Sequence, residues 1–238
     1  NASGAATPNF GRELSPESVR LSWTRFLPTG PGATSGTFVG TGVLPAAPLA
    51  GFSGGSASAG DLSWSEVGTG DLTASLTSGN YLGSGLTAAG STGSAGAVGR
   101  FIPHHFDTVV SSQACGSFTY SGQPFTLDVL ARNAAGGTTA NYDGTSNTAP
   151  NHAKSVTLTA ATQGNTGSLS NGWVASSRFG AGLARLTRTP AFTFTNKLTA
   201  PTTVVIRATD SDGVSSSAGT AEAAVALRSG RLRVSNAF

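Results

Sequence analysis

The chain has 238 residues and a net charge of +3, and only 11% of it is charged, against about 25% in an ordinary soluble domain. Its 33 Gly, with abundant Ser and Thr, disfavour helices, while a 38% hydrophobic share with 12 Phe and 3 Trp argues against pure disorder. The twelve arginines are scattered, so the basic, aromatic-laced stripe of a nucleic-acid binder is absent.

Residues 1–17 are polar and irregular. Residues 19–28, "VRLSWTRFLP", alternate, with Val19, Leu21 and Trp23 on one side and Arg20, Ser22 and Thr24 on the other. That period of two predicts a half-buried strand. Pro28, Gly30, Pro31 and Gly32 end it. Further strands are expected at 36–44, at 61–68 with Leu62, Trp64 and Glu66 on one face, and at 71–79 with Leu72, Ala74 and Leu76 together. Four strands in so short a span match the spacing of a sandwich. Residues 83–99, "GSGLTAAGSTGSAGAVG", read as a flexible linker.

A second strand series follows: Phe118 and Tyr120, then 125–131, 155–161, 182–188, 191–196, 203–210 and 221–227, with a last strand at 231–238. Residues 221–227 are rich in helix-favouring Ala, yet their place at the end of a strand series favours a strand. The expected fold is all-β, two tandem immunoglobulin-like β-sandwich domains at 1–99 and 100–238.

Between them stands "VGRFIPHHF" (98–106). Consecutive residues of an extended chain point to opposite faces, so His104 and His105 do not suit one metal ion, and no second half-site of zinc-ligand spacing exists. Arg100, Phe101, Pro103, His104, His105 and Phe106 are expected to form an interdomain seam, stiffened by the proline. Asp210 and Asp212 in "TDSDGVS" resemble the opening of a calcium loop. With Asp210 as position 1, however, position 12 is Ala221 and Glu222 comes one residue late, and a type I turn between strands is the leading reading. "NYDG" (141–144) reads as an ordinary turn. Cys115, the one cysteine, is expected to be a buried free thiol. Trp23 and Trp64 are expected in the core, and Trp173 is the candidate for an exposed, ligand-binding aromatic. No nucleophile elbow, carboxylate pair or phosphate-cradling loop is legible, so neither catalysis nor a cofactor is expected. No apolar run reaches the 18 residues of a membrane span. The lack of any Met suggests an internal piece of a longer chain.

Several phrases together, "FGRELSPESVRL", "WSEVG", "GNYLG", "VGRFIPHHF", "ACGSFTYSGQPFTLDVLARNAAGGTTANYDG" and "GRLRVSNAF", resemble the DUF6701 region of MshQ-like bacterial surface proteins. Ser121 departs from the Met usual there. The resemblance implies an exported, multidomain, cell-surface or extracellular protein, and it carries no catalytic residues over to this chain. The expected function is a non-catalytic structural or assembly module associated with type IV pili or extracellular filaments. Its partners would be further copies of itself or filament subunits, paired through strand edges. The alternative is a glycan-binding adhesin module.

Overall fold

The computed structural model describes residues 5–162, 166–219 and 221–230, and it is all-β, with only single 3-10 turns besides its strands. The chain divides into two compact units, one holding residues 5–29 and 34–101, the other 30–33 and 102–230.

The first unit holds β1 (Val19–Leu27), β2 (Phe38–Val39), β3 (Ser63–Trp64), β4 (Gly68–Leu76), β5 (Ala89–Ser91) and β6 (Val98–Phe101). β1 and β4 run antiparallel from Val19 opposite Leu76 to Leu27 opposite Thr69, with a register shift between Arg25 and Leu27. β4 pairs on its other edge with β5 and β6. The alternation legible in residues 19–24 turns Leu21 inward, 8% exposed, and leaves Ser22 and Thr24 in solvent. Four aromatic rings fill the interior. Trp23 stacks on Phe38 with centroids 4.8 Å apart, and Trp64 and Phe101 stand 5.1 and 5.6 Å from it. The Trp64 indole N–H, buried with its ring, donates to the Ser35 carbonyl at 2.8 Å, as a buried indole requires.

Two expectations change here. The Gly-rich stretch 83–99 is no linker: it contributes β5 and the start of β6 to the sheet. Small residues there and in β4 let backbones close up. Gly68 has φ +129°, and a Cβ on it would run into the Leu27 carbonyl. The strand expected at 36–44 shrinks to Phe38–Val39, because Gly40 and Gly42 turn the chain with φ of +132° and +92°.

The second unit holds β7 (His105–Ser112), β8 (Thr119–Tyr120), β9 (Thr126–Arg132), β10 (Val156–Ala160), β11 (Gly167–Ser170), β12 (Trp173–Val174), β13 (Leu183–Leu186), β14 (Ala191–Phe194), β15 (Thr202–Asp210) and β16 (Ala223–Arg228). They form a five-stranded sheet in the order β12-β10-β15-β16-β8, a three-stranded sheet β13-β9-β7 and a two-stranded sheet β11-β14. Among these named strands the β16–β8 pair is parallel and the others are antiparallel. Leu127, Val129, Val156, Val204, Ile206, Val225 and Leu227 are all fully buried, which the period-two pattern predicts. Each such side chain contributes about 1.5–3 kcal/mol. Residues 221–227 are strand for this reason: Ala223, Val225 and Leu227 face the core in alternation, and that burial outweighs the helix propensity of Ala.

Thr108 joins the two larger sheets. It is buried, its N–H donates to the Ala221 carbonyl at 3.0 Å and its hydroxyl donates to the Ile206 carbonyl at 2.9 Å. The same hydroxyl accepts the Ala223 N–H at 2.7 Å. Cys115 is exposed rather than buried, because it sits in the tight turn closed by Gln113 and Gly116 after β7. The strand expected at 231–238 lies outside the described residues.

Candidate functional site

The histidine segment divides between the units. Phe101 belongs to the aromatic interior of the first unit. Phe106 is fully buried in the second, 5.6 Å from Tyr142 and 6.3 Å from Phe179 by ring centroids. Pro103 is buried, while Arg100 and His104 are exposed. The two imidazoles do not point apart. A bend at His104, just before β7 starts, brings its Nδ1 to 2.9 Å from Nδ1 of His105. One nitrogen therefore carries the proton and the other accepts it. His105 is 8% exposed, and its Nε2 lies 3.5 Å from Asp107 Oδ1. The other Asp107 oxygen takes Arg132 Nε at 2.7 Å, and Arg132 also donates to the Thr138 hydroxyl at 2.7 Å. A Cβ on Gly219 would overlap the His105 ring, so this cluster is packed shut. Among the described residues no three His, Cys, Asp or Glu side chains are placed to hold a metal ion.

Asp210, at the end of β15, is 7% exposed. Its Oδ1 accepts the N–H groups of Asp212 and Val214 at 2.9 and 3.0 Å, and its Oδ2 accepts the Tyr142 hydroxyl at 2.9 Å. The turn reading is the observed one: Gly213 N–H returns to the Asp210 carbonyl at 3.2 Å. Burial pushes the Asp210 carboxyl above its ordinary range, opposed by these donors. Burial and the Asp210 charge push the Tyr142 hydroxyl well above its own. The Tyr142 oxygen also accepts the Lys154 N–H at 3.0 Å. "NYDG" is therefore no ordinary turn: Asn141, Tyr142 and Asp143 are each at most 2% exposed. Asp143 Oδ1 holds the Thr145 N–H and hydroxyl, and its Oδ2 holds the Ala181 N–H at 2.8 Å. The polar letters of this stretch hid an interior hydrogen-bond centre. The signal was Tyr142, a large ring between residues that favour turns.

Trp173 is 66% exposed on β12, an edge of the five-stranded sheet. It borders an open groove of about 490 Å³ whose other walls include Lys154, Ser155, Thr157, Thr209 and Ser211. An exposed indole beside hydroxyls and one ammonium is a surface on which a sugar ring can stack and hydrogen-bond.

A second open groove, of about 550 Å³, lies in the first unit along β1, bordered by Arg20, Trp23, Arg25, Ser35, Phe38 and Leu44 among others. Nothing in the sequence pattern marks it, because which edge of a strand is left open is decided by topology. Arg20 Nη1 donates to the Ala46 carbonyl at 2.5 Å and Arg25 Nη1 to the Pro28 carbonyl. Trp23 Nε1 and Arg25 Nε are buried without an acceptor.

These features define an all-β protein of two units with an open groove on each. The chain belongs to the DUF6701 family: residues 66–230 match the model of its third domain. The match takes in β4 to β6 and continues through the described strands of the second unit. No curated protein and no solved structure matches the chain.

Proposed function

We propose that this chain is a non-catalytic structural or assembly module of an exported bacterial surface protein, associated with type IV pili or extracellular filaments, and that its second unit is an immunoglobulin-like sandwich. The observation that carries the non-catalytic reading is where the carboxylates go. Asp128 is held by Arg185 at 2.7 and 2.8 Å and Glu222 by Arg207 at 2.8 and 3.0 Å. Asp107 is spent on Arg132, and Asp143 and Asp210 on turns and Tyr142. Groups engaged in this way serve packing rather than bond-making. The sandwich reading is supported by two antiparallel-rich sheets that bury alternate residues and are joined at Thr108.

The exposed thiol of Cys115 provides the test. In the bacterium that encodes the chain, a membrane-impermeant maleimide should label Cys115 on intact cells, and a Cys115→Ser strain should lose the label. Deleting the segment should reduce surface filaments. Labelling only after lysis, or filaments unchanged by the deletion, would remove the proposal.

Trp173 favours a second reading, a glycan-binding module. Trp173→Ala should abolish binding on a glycan array, and unchanged binding rejects that reading.

A further inference from the structure

We infer that the open edge of β1 accepts an extended segment of another polypeptide chain, one that carries an acidic side chain, as an added strand. This inference rests on the assembly reading above and gives it a site and a partner chemistry.

The hydrogen-bond pattern settles which edge is open. Odd-numbered residues of β1 point their N–H groups away from β4: Val19 donates to the Leu49 carbonyl at 2.9 Å and Leu21 to the Gly42 carbonyl at 2.9 Å. On β4, even-numbered residues face β5, with Leu76 N–H on the Ala88 carbonyl and Thr92 N–H on the Leu72 carbonyl. Odd-numbered β4 residues therefore face β1 and meet Arg20, Ser22 and Thr24. By the same alternation the N–H groups of Trp23 and Arg25 face the edge that Leu49 and Gly42 cover further back. Among the described residues no acceptor meets them. The covering chain leaves β1 after Leu21, and the 550 Å³ groove begins there, between the edge and the wall built by Ser35, Phe38 and Leu44.

Two N–H groups spaced two residues apart, on a strand already paired to β4 along its other edge, form a template for a further strand. The groove supplies the selectivity. Arg20 and Arg25 border it and no acidic residue does, so a carboxylate on the incoming strand meets uncompensated positive charge. The buried Arg25 Nε and Trp23 Nε1 beside it already bear the cost of unmade hydrogen bonds.

The probe is a set of nine N-acetylated, C-amidated nonapeptides of alternating Val and Thr, with a single Glu stepped through the nine positions, and the matching Lys set. The readout is amide hydrogen exchange in the intact chain. In the free protein the Trp23 and Arg25 amides should exchange faster than those of Ser22 and Thr24. At least one Glu register should slow both by about tenfold or more, and the Lys set should not. Arg25→Pro removes the edge N–H at a position where an edge strand tolerates Pro, and should abolish the effect. Arg25→Gln keeps the N–H and should keep protection at Trp23 while weakening the preference for Glu. The inference is overturned if Trp23 and Arg25 are already as protected as Thr24, if no Glu register protects them, or if both sets protect them equally. It is also overturned if a sulfated oligosaccharide occupies the groove with those amides unprotected. Protection by peptide together with filaments unaffected by deletion would reject the assembly reading and keep the edge site. Loss of filaments with an inert edge would do the reverse.

Discussion

Replacing Tyr142 by Phe deletes one oxygen from a buried hydrogen-bonded cluster of the second unit. The ring keeps its edge-on packing against Phe179 and Phe106, at 5.1 and 5.6 Å, so the packing contribution is preserved. Two hydrogen bonds disappear. The one donated to the Asp210 carboxylate is worth about 1.5–3 kcal/mol, and leaving the Lys154 N–H without its acceptor adds about 1 kcal/mol. The expected loss near pH 7 is about 3 kcal/mol. The pH dependence carries a definite sign. Asp210 titrates higher in the folded state than in the unfolded one. Between those two values the folded state binds more protons, so this group makes stability fall as pH rises through the window. The Tyr142 hydroxyl opposes that shift. Without it the window widens upward and the penalty grows toward neutral pH. Below the unfolded Asp value of about 3.9, where the carboxyl is protonated in both states, the cost should fall to about 1–1.5 kcal/mol. Urea-dependent hydrogen exchange of peptides from β9 and β15 reads this unit by itself. A double-mutant cycle with Asp210→Asn should give a coupling of about 1–2 kcal/mol. A loss under about 0.5 kcal/mol, or one that does not change with pH, would refute the reasoning.

Gly144→Ala should destabilise the second unit by about 1–3 kcal/mol, because the new Cβ meets the Ser176 carbonyl; a change within error in the same exchange experiment counts against that packing. Glu222, held below its ordinary range by Arg207, contributes stability above the usual Glu value that is lost as pH falls through its lowered one. Glu222→Gln should therefore flatten the acid side of a melting-temperature profile taken between about pH 6 and pH 3. Trp173→Ala should leave unfolding free energy within about 0.5 kcal/mol of the parent, since two thirds of that side chain lies in solvent; a larger loss would make it a packing residue.

The period-two runs made most of the second unit legible. Leu127 and Val129, or Val204 and Ile206, are buried where alternation put them. Apolar letters at that spacing have few other uses. Glycine was misread, because composition cannot distinguish a glycine that loosens a linker from one that lets strands approach, as Gly68 does beside Leu27. Polar burial was also hidden. Asn141 and Asp143 carry the letters of a surface turn, and only their partners across the fold, such as the Ala181 N–H, make them interior. Trp173 was legible as exposed because the residues around it are polar. The groove on β1 was not, because alternation says which face Trp23 and Arg25 share but not which edge of the strand is left uncovered.

The parallel pair of β8 and β16 bears on how the second unit would resist being stretched. β8 lies early in this unit and β16 is its last described strand, and they meet at Thr119 with Leu227 and Tyr120 with Arg228. Pulling the two ends of the unit apart would slide these strands along their length, so their bonds would bear the load together instead of opening one after another. Such an arrangement raises the barrier to forced unfolding, which is set by the unfolding rate rather than by equilibrium stability. The unit gains resistance to stretching from that geometry without any enlargement of its core.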